Sequence, residues 1–280
     1  MKHTTGTIQS TDGMKLFTQR WDSETDARAV IILVHGLGEH SSRYQHVAQY
    51  FTQHGMTMLA FDLRGHGNTP GARGHAVSFM QILDDIQCMI DLAKRDFAAK
   101  PVFLYGHSMG GNLVLYYYQK RRPTNLAGII ASSPGLAPAQ LVPDWKMTLA
   151  KVLYNLLPAF SMNNGLDLSG LSKDDQILKA VREDRLYHTQ VSARLGLDII
   201  RSGQELLAKP MHFDIPLLLQ QGSADRVINP QATIQFAKNA AGMVTFKLWE
   251  DMYHELHNEP EKIQVLDFVR TWIEEQIHNL

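Results

Sequence analysis

Residues 102–120 read VFLYGHSMGGNLVLYYYQK. A short apolar run ends at a glycine, a serine follows within a glycine-punctuated turn, and a helical run of apolar residues begins at once. Gly106 and Gly110 frame Ser108 in the pattern G-x-S-x-G. A turn this sharp forces the serine into a strained backbone conformation, and neighbours lacking a Cβ avoid steric conflict. The spacing predicts an Oγ held at the carboxyl end of a buried strand. There a helix N-terminus directs free N–H groups and partial positive charge, an environment that favours a developing oxyanion. The strand-turn-helix context carries this reading further than the bare pattern does.

Strand and helix patterns alternate outward from this turn. AVIILVH (residues 29–35) is a continuous β-branched apolar run, as expected of a strand covered on both faces. Upstream, TGTIQS and MKLFTQRW flank Asp12 and Gly13, which predicts an antiparallel hairpin. A helical stretch from Arg43 to His54, the strand MTMLAFD and a helix from Ser78 to Phe97 precede the serine turn. Strands at GIIASS, PLLLQQG and VTFKLWE follow it, with helices after Pro230 and from Glu259 onward. Such alternation needs crossovers, and so predicts an α/β protein with a mostly parallel sheet of about eight strands covered by helices on both faces.

Between Pro134 and Pro210 the rhythm stops, and SMNNGLDLSGLSKDD offers no obvious strand. The expected division is a core domain of residues 1–134 and 211–280, interrupted by a helical cap at residues 135–210. Within the cap, WKMTLAKVLYNLL (residues 145–157) is too densely apolar for a solvent-facing helix. It should pack on the main domain or meet another apolar partner, a membrane included, with Trp145, Leu149 and Leu153 as the residues in question.

Composition removes several function classes. Hydrophobic residues at 44% and charged residues at 20% describe a chain able to bury a core. A net charge of -1 with scattered basic residues leaves no footprint for nucleic acid. Cys88 is the only cysteine, so no intrachain disulfide or multi-thiolate metal site can form, and it reads as a small buried hydrophobe. The first residues lack the apolar core of a signal peptide and no stretch approaches bilayer length, which makes the cytoplasm the expected compartment. The glycine-rich loop DLRGHGNTPGARGH (residues 62–75) matches neither phosphate-binding pattern, and no H-E-x-x-H occurs. No cofactor and no metal are expected.

A serine hydroxyl at neutral pH needs a base, and the base needs an acid that sets its tautomer and stabilises its cation. In this arrangement the acid and then the histidine follow the serine, each on a loop after a later strand. Asp225 fits, in the turn GSAD after PLLLQQG; His254 fits, in DMYHE after VTFKLWE. The rival base is His257, which stands further from the strand end. Among acids, Asp214 precedes its strand and Asp251 lies in the histidine's own loop. Asp225 could alternatively serve only as a turn former or helix cap before Pro230. The oxyanion donors are expected to be the backbone N–H groups of Leu37, after AVIILVH, and of Met109. His35 and His107 flank tight turns and read as loop-holding residues. Together these define a serine hydrolase of the α/β-hydrolase fold with Ser108 as nucleophile, His254 as base and Asp225 as acid.

HGLGEHSSRY, DLRGHG, GHSMGG, GSAD and YHELHNE resemble the monoacylglycerol lipase and lysophospholipase group of that fold, over nearly the whole chain. The resemblance extends to LSGLSKDD and REDRLYH in the cap, where the group's Asp-Pro-Leu is replaced by Asp184, Arg185 and Leu186. It implies the same triad and oxyanion donors. It also implies a small lipid ester as substrate, with Glu39 and Arg43 near the glycerol head group or, alternatively, joined in a purely structural ion pair. A lysophospholipase or short-chain carboxylesterase keeps the same triad. Dehalogenases and epoxide hydrolases need an acidic nucleophile where this chain has Ser108. A non-enzymatic binding protein on the same fold would be expected to have lost the serine or the histidine.

Overall fold

The continuous apolar runs become strands buried on both faces. A computed structural model describes residues 1–140 and 142–280. The first half of the chain forms β1 (Lys2–Gln9), β2 (Lys15–Asp22), β3 (Ala29–Val34), α1 (Gln45–Gln53), β4 (Met56–Phe61), α2 (Phe79–Asp96), β5 (Val102–His107), α3 (Met109–Arg121) and β6 (Gly128–Ser132). The second half forms α4 (Asp144–Leu156), β7 (Ser161–Asn163), α5 (Asp175–Glu183), β8 (Gln190–Ser192), α6 (Ala193–Ala208), β9 (His212–Gly222), α7 (Pro230–Asn239), β10 (Ala241–Trp249) and α8 (Lys262–His278). Eight strands make one sheet in the order β1-β2-β4-β3-β5-β6-β9-β10. The hairpin β1–β2 and the β2–β4 pair are antiparallel, and every other pair is parallel.

Strand β3 shows why its run had to be apolar throughout. Val30, Ile32 and Val34 enter a core shared with α2, α3 and α6, while Ala29, Ile31 and Leu33 enter the opposite core, shared with α1 and α8. Alternate residues point to opposite faces, and here both faces are covered. Each buried Val, Ile or Leu here contributes roughly 1.5–3 kcal/mol. From β3 the chain steps to β4 on one side, then crosses back to β5 on the other. The crevice for a site therefore opens beyond the carboxyl ends of β3 and β5.

The segment between β6 and β9 has three different kinds of contact. Helix α6 lies on α3 and sends Leu195 and Leu206 into the main core. Leu178 and Val181 of α5 join Leu171 and Val227 in a separate small cluster. Strands β7 and β8 pair antiparallel over three residues each, a ladder the sequence did not announce because three polar-flanked residues are too short to display a period.

Helix α4 has no buried residue. It leans on α6 through Tyr154, whose hydroxyl donates to Asp198 at 2.9 Å and whose ring is covered by the guanidinium groups of Arg194 and Arg201. Trp145, Leu149, Val152 and Leu156 form one exposed stripe at helical spacing, Trp145 being 64% and Leu156 72% exposed. Leu153 is half-buried, so Val152 replaces it in the stripe. Cys88 is half-buried as well, and not the fully buried residue its type suggested.

Candidate active site

The turn between β5 and α3 places Ser108 at φ 55° and ψ −119°, a conformation that costs a non-glycine residue about 1–3 kcal/mol. Surrounding hydrogen bonds hold it: the Ser108 N–H donates to Ser132 O at 3.0 Å, and its carbonyl accepts from Gly135 N–H at 2.8 Å and Asn112 N–H at 3.0 Å. The flanking glycines answer to close approach. A methyl group at Gly106 would collide with the Gly110 carbonyl, and one at Gly110 with the Val34 carbonyl of β3.

Asp225 stands just beyond β9 and His254 just beyond β10, so two neighbouring parallel strands deliver them to the same edge as β5. His254 Nε2 lies 2.9 Å from Ser108 Oγ, and His254 Nδ1 lies 2.8 Å from Asp225 Oδ2. With Nδ1–H donating to the carboxylate, Nε2 accepts the serine hydroxyl proton. Asp225 Oδ1 accepts from the N–H groups of Val227 at 2.8 Å and Ile228 at 2.9 Å, while Oδ2 also accepts from Gln221 at 2.8 Å. The helix-cap alternative for Asp225 does not arise, since Asn229 caps α7.

Burial alone would raise the Asp225 pKa, but the His254 charge and these donors outweigh it and hold the carboxyl below its ordinary range. Burial alone would lower the His254 pKa, but the Asp225 charge and hydrogen bond outweigh that, and the net direction is upward from 6.5. The two shifts agree in favouring the charged pair that forms when His254 takes a proton.

The rival residues lie elsewhere. His257 is wholly buried, stacked on Tyr44 at 4.6 Å and edge-on to His107 at 4.8 Å. Asp214 lies inside β9 rather than before it, near the opposite end of the sheet, and Asp251 occupies an exposed turn. His35 does hold its loop: Nδ1 donates to Gly36 O at 2.8 Å and Nε2 accepts the Leu63 N–H at 2.9 Å. His107 instead lies against the His254 ring at 4.8 Å, and burial pushes its pKa down to about 4. Among the described residues the N–H groups of Leu37 and Met109 meet no protein acceptor. Leu37 also lines the cleft at Ser108.

Glu39 and Arg43 sit in the floor of the cleft as an ion pair that includes a third residue. Arg43 Nη1 donates to Glu39 at 2.9 Å, and Nη1 and Nη2 grip the two oxygens of Glu255 at 2.8 Å each. Glu39 also accepts from Gly36 N–H at 2.5 Å and from the Tyr44 hydroxyl at 2.8 Å, tying the pair to the loop that carries Leu37. Burial opposes the charge on Glu255, but the Arg43 guanidinium prevails and holds its carboxyl far below the usual range. Sequence reading missed Glu255; its position directly after His254 in YHELHNE was the available signal.

All three residues of this network line the cleft, together with Leu166, Leu171 and Tyr187 from the segment between β6 and β9. The free volume there is about 20 Å³, room for about one water molecule. Asp184 of the same segment accepts from His40 at 2.7 Å, and the departing Arg185 is exposed. Among the described residues no group of three His, Cys, Asp or Glu could hold a metal ion. Among them, no helix is long and apolar enough to cross a membrane.

A mostly parallel sheet that presents a strained serine, a histidine bonded to it and a buried aspartate defines a serine hydrolase of the α/β-hydrolase class. The chain belongs to the family described as serine aminopeptidase, S33, which matches residues 25–261. It is 36% identical over 281 residues to an uncharacterized abhydrolase domain-containing protein of Dictyostelium discoideum, an alignment covering 100% of this chain and 30% of that one. It is 33% identical over 263 residues to a monoacylglycerol lipase of Mycolicibacterium smegmatis, covering 93% of each. The crystal structure of Paleococcus ferrophilus monoacylglycerol lipase superposes with a TM-score of 0.86 at 31% identity, covering 94% of this chain and 100% of that chain.

Proposed function

We propose that this protein hydrolyses monoacylglycerols to glycerol and fatty acid, with Ser108 as nucleophile, His254 as general base and acid, and Asp225 as the group that orients and stabilises the histidine. The observation that carries the reading is the unbroken hydrogen-bonded chain from Asp225 through His254 to Ser108. Ser108 Oγ attacks the ester carbonyl while His254 Nε2 takes its proton, and the tetrahedral oxyanion lies against the N–H groups of Leu37 and Met109. His254 then returns the proton to the departing glycerol oxygen, leaving an acyl-serine. Water activated by the same histidine releases the fatty acid and restores the serine.

The choice of lipid rests on the similarity to the Mycolicibacterium and Paleococcus monoacylglycerol lipases. The polar floor of Glu39, Arg43 and Glu255 supports a hydroxyl-rich leaving group at that end of the cleft. Residues 135–210 act in this reading as a lid rooted in the core by α6. A volume of about 20 Å³ is too small for a long acyl chain, and in this reading the lid opens to admit it. The exposed stripe on α4 supports peripheral contact with the membrane that supplies the substrate.

The deciding experiment measures fatty-acid release from a long-chain monoacylglycerol and from a lysophospholipid, using the intact protein and Ser108→Ala. Release from the monoacylglycerol that vanishes in the variant is expected. Preference for the lysophospholipid would replace the substrate, and activity surviving in Ser108→Ala would overturn the mechanism.

A further inference from the structure

Cap residues 168–173 are built into the edge that carries the catalytic loops. The His254 N–H donates to Gly170 O at 3.4 Å and the Glu255 N–H to Leu171 O at 2.7 Å. The Ser172 hydroxyl donates to Asn258 O at 2.9 Å, and the Lys173 N–H to Glu259 Oε1 at 3.1 Å. Cap residues 170–173 thus run beside residues 254–259 with a polar contact at every position. The other side of the same stretch meets the loop of the acid. Leu171 packs with Val227, and a Cβ added at Gly170 would stand 3.1 Å from the Cβ of Arg226, tighter than an ordinary contact. Ser172 is 1% exposed and also accepts the Asp174 N–H, which starts α5.

Helix α4 lacks any comparable attachment. It has no buried residue and is held to α6 chiefly around Tyr154. The two halves of the cap therefore have different mechanical relations to the site, although they are continuous in sequence.

We infer that residues 170–173 are a positioning brace for His254, wedged between the base loop and the acid loop, and that this brace holds its place independently of α4. The inference rests on the assignment of His254 as the base. The brace sets the distance from His254 Nδ1 to Asp225 and from Nε2 to Ser108, and small errors in such distances cost rate steeply. Ser172 and Gly170 act through His254 and touch no reacting atom.

The test compares Ser172→Ala and Gly170→Ala with the intact chain on p-nitrophenyl acetate, a small activated ester, and on a long-chain monoacylglycerol. With both variants folded at the assay temperature, kcat should fall about tenfold on both substrates with KM changed less than about twofold. The acidic limb of the pH profile should move to lower pH as His254 loses register with Asp225. Unchanged kcat and pH profile in both variants, or a loss confined to KM, would overturn the brace. Hydrogen exchange on the unmodified protein tests it without any variant. Residues 170–173 should be protected alongside 254–259, and α4 should exchange at least about tenfold faster. Equal exchange in the two halves of the cap would also overturn it. Activity in Ser108→Ala would instead remove the catalytic reading and leave the exchange comparison standing.

Discussion

Strand β3 and helix α4 are both written in apolar residues, yet the fold uses them oppositely. All six residues of β3 are buried between two helical layers, whereas α4 buries none of its residues and turns Trp145, Leu149, Val152 and Leu156 to solvent. The same contrast holds for charge. Arg43 and Glu255 face each other with side chains 9% and 3% exposed, while Lys179 and Glu183 on α5 are 75% and 68% exposed. The difference teaches where precision resides. Around Ser108 the charged groups are buried and paired, whereas the side chains named on α4 and α5 meet solvent.

If that contrast is sound, the largest effects belong to the floor of the site. Asp225→Asn should lower kcat by about 10⁴, because the amide favours the wrong tautomer of His254 while leaving the geometry intact. The same variant sharpens the pH argument. His254 must be neutral to act as base, so kcat/KM of the intact protein should rise with pH through a value above 6.5. Removing the Asp225 charge takes away what raises that pKa, so the rising limb should shift to lower pH; a limb that stays in place would break the assignment of the pair.

Stability should separate the two regions next. Arg43→Met leaves two buried carboxylates facing each other and should cost about 3–5 kcal/mol in urea denaturation. Lys179→Ala should stay within about 0.5 kcal/mol of the unmodified protein, because exposed pairs are screened. Similar losses at both sites would erase the distinction.

The smallest effect on chemistry is expected on α4. Exchanging Trp145, Val152 and Leu156 for glutamate should leave hydrolysis of p-nitrophenyl acetate and thermal stability nearly unchanged, since none of the three is buried. Co-sedimentation with liposomes should fall markedly. Unaltered sedimentation would remove the membrane from the account of this helix.

Local sequence carried much of this. The strand-turn-helix around Ser108 was legible because the glycines it needs are adjacent in the chain, and β3 was legible because two-sided burial leaves no polar position. Strands β7 and β8 were not legible, because their pairing joins residues about 30 positions apart over three-residue runs. The exposure of α4 was equally hidden: an apolar stripe records that one face is greasy and does not record whether another element covers it.

The sequence by itself determined the alternating architecture, the strained turn at Ser108 and the placing of Asp225 and His254 on loops after later strands, since each depends on residues within one strand, turn or helix. Only the tertiary structure decided that Arg43 binds Glu255 across 212 residues and that residues 170–173 lie along the His254 loop. The physical reason is that burial and pairing are properties of two surfaces. A sequence displays each surface separately, and the fold brings them into contact.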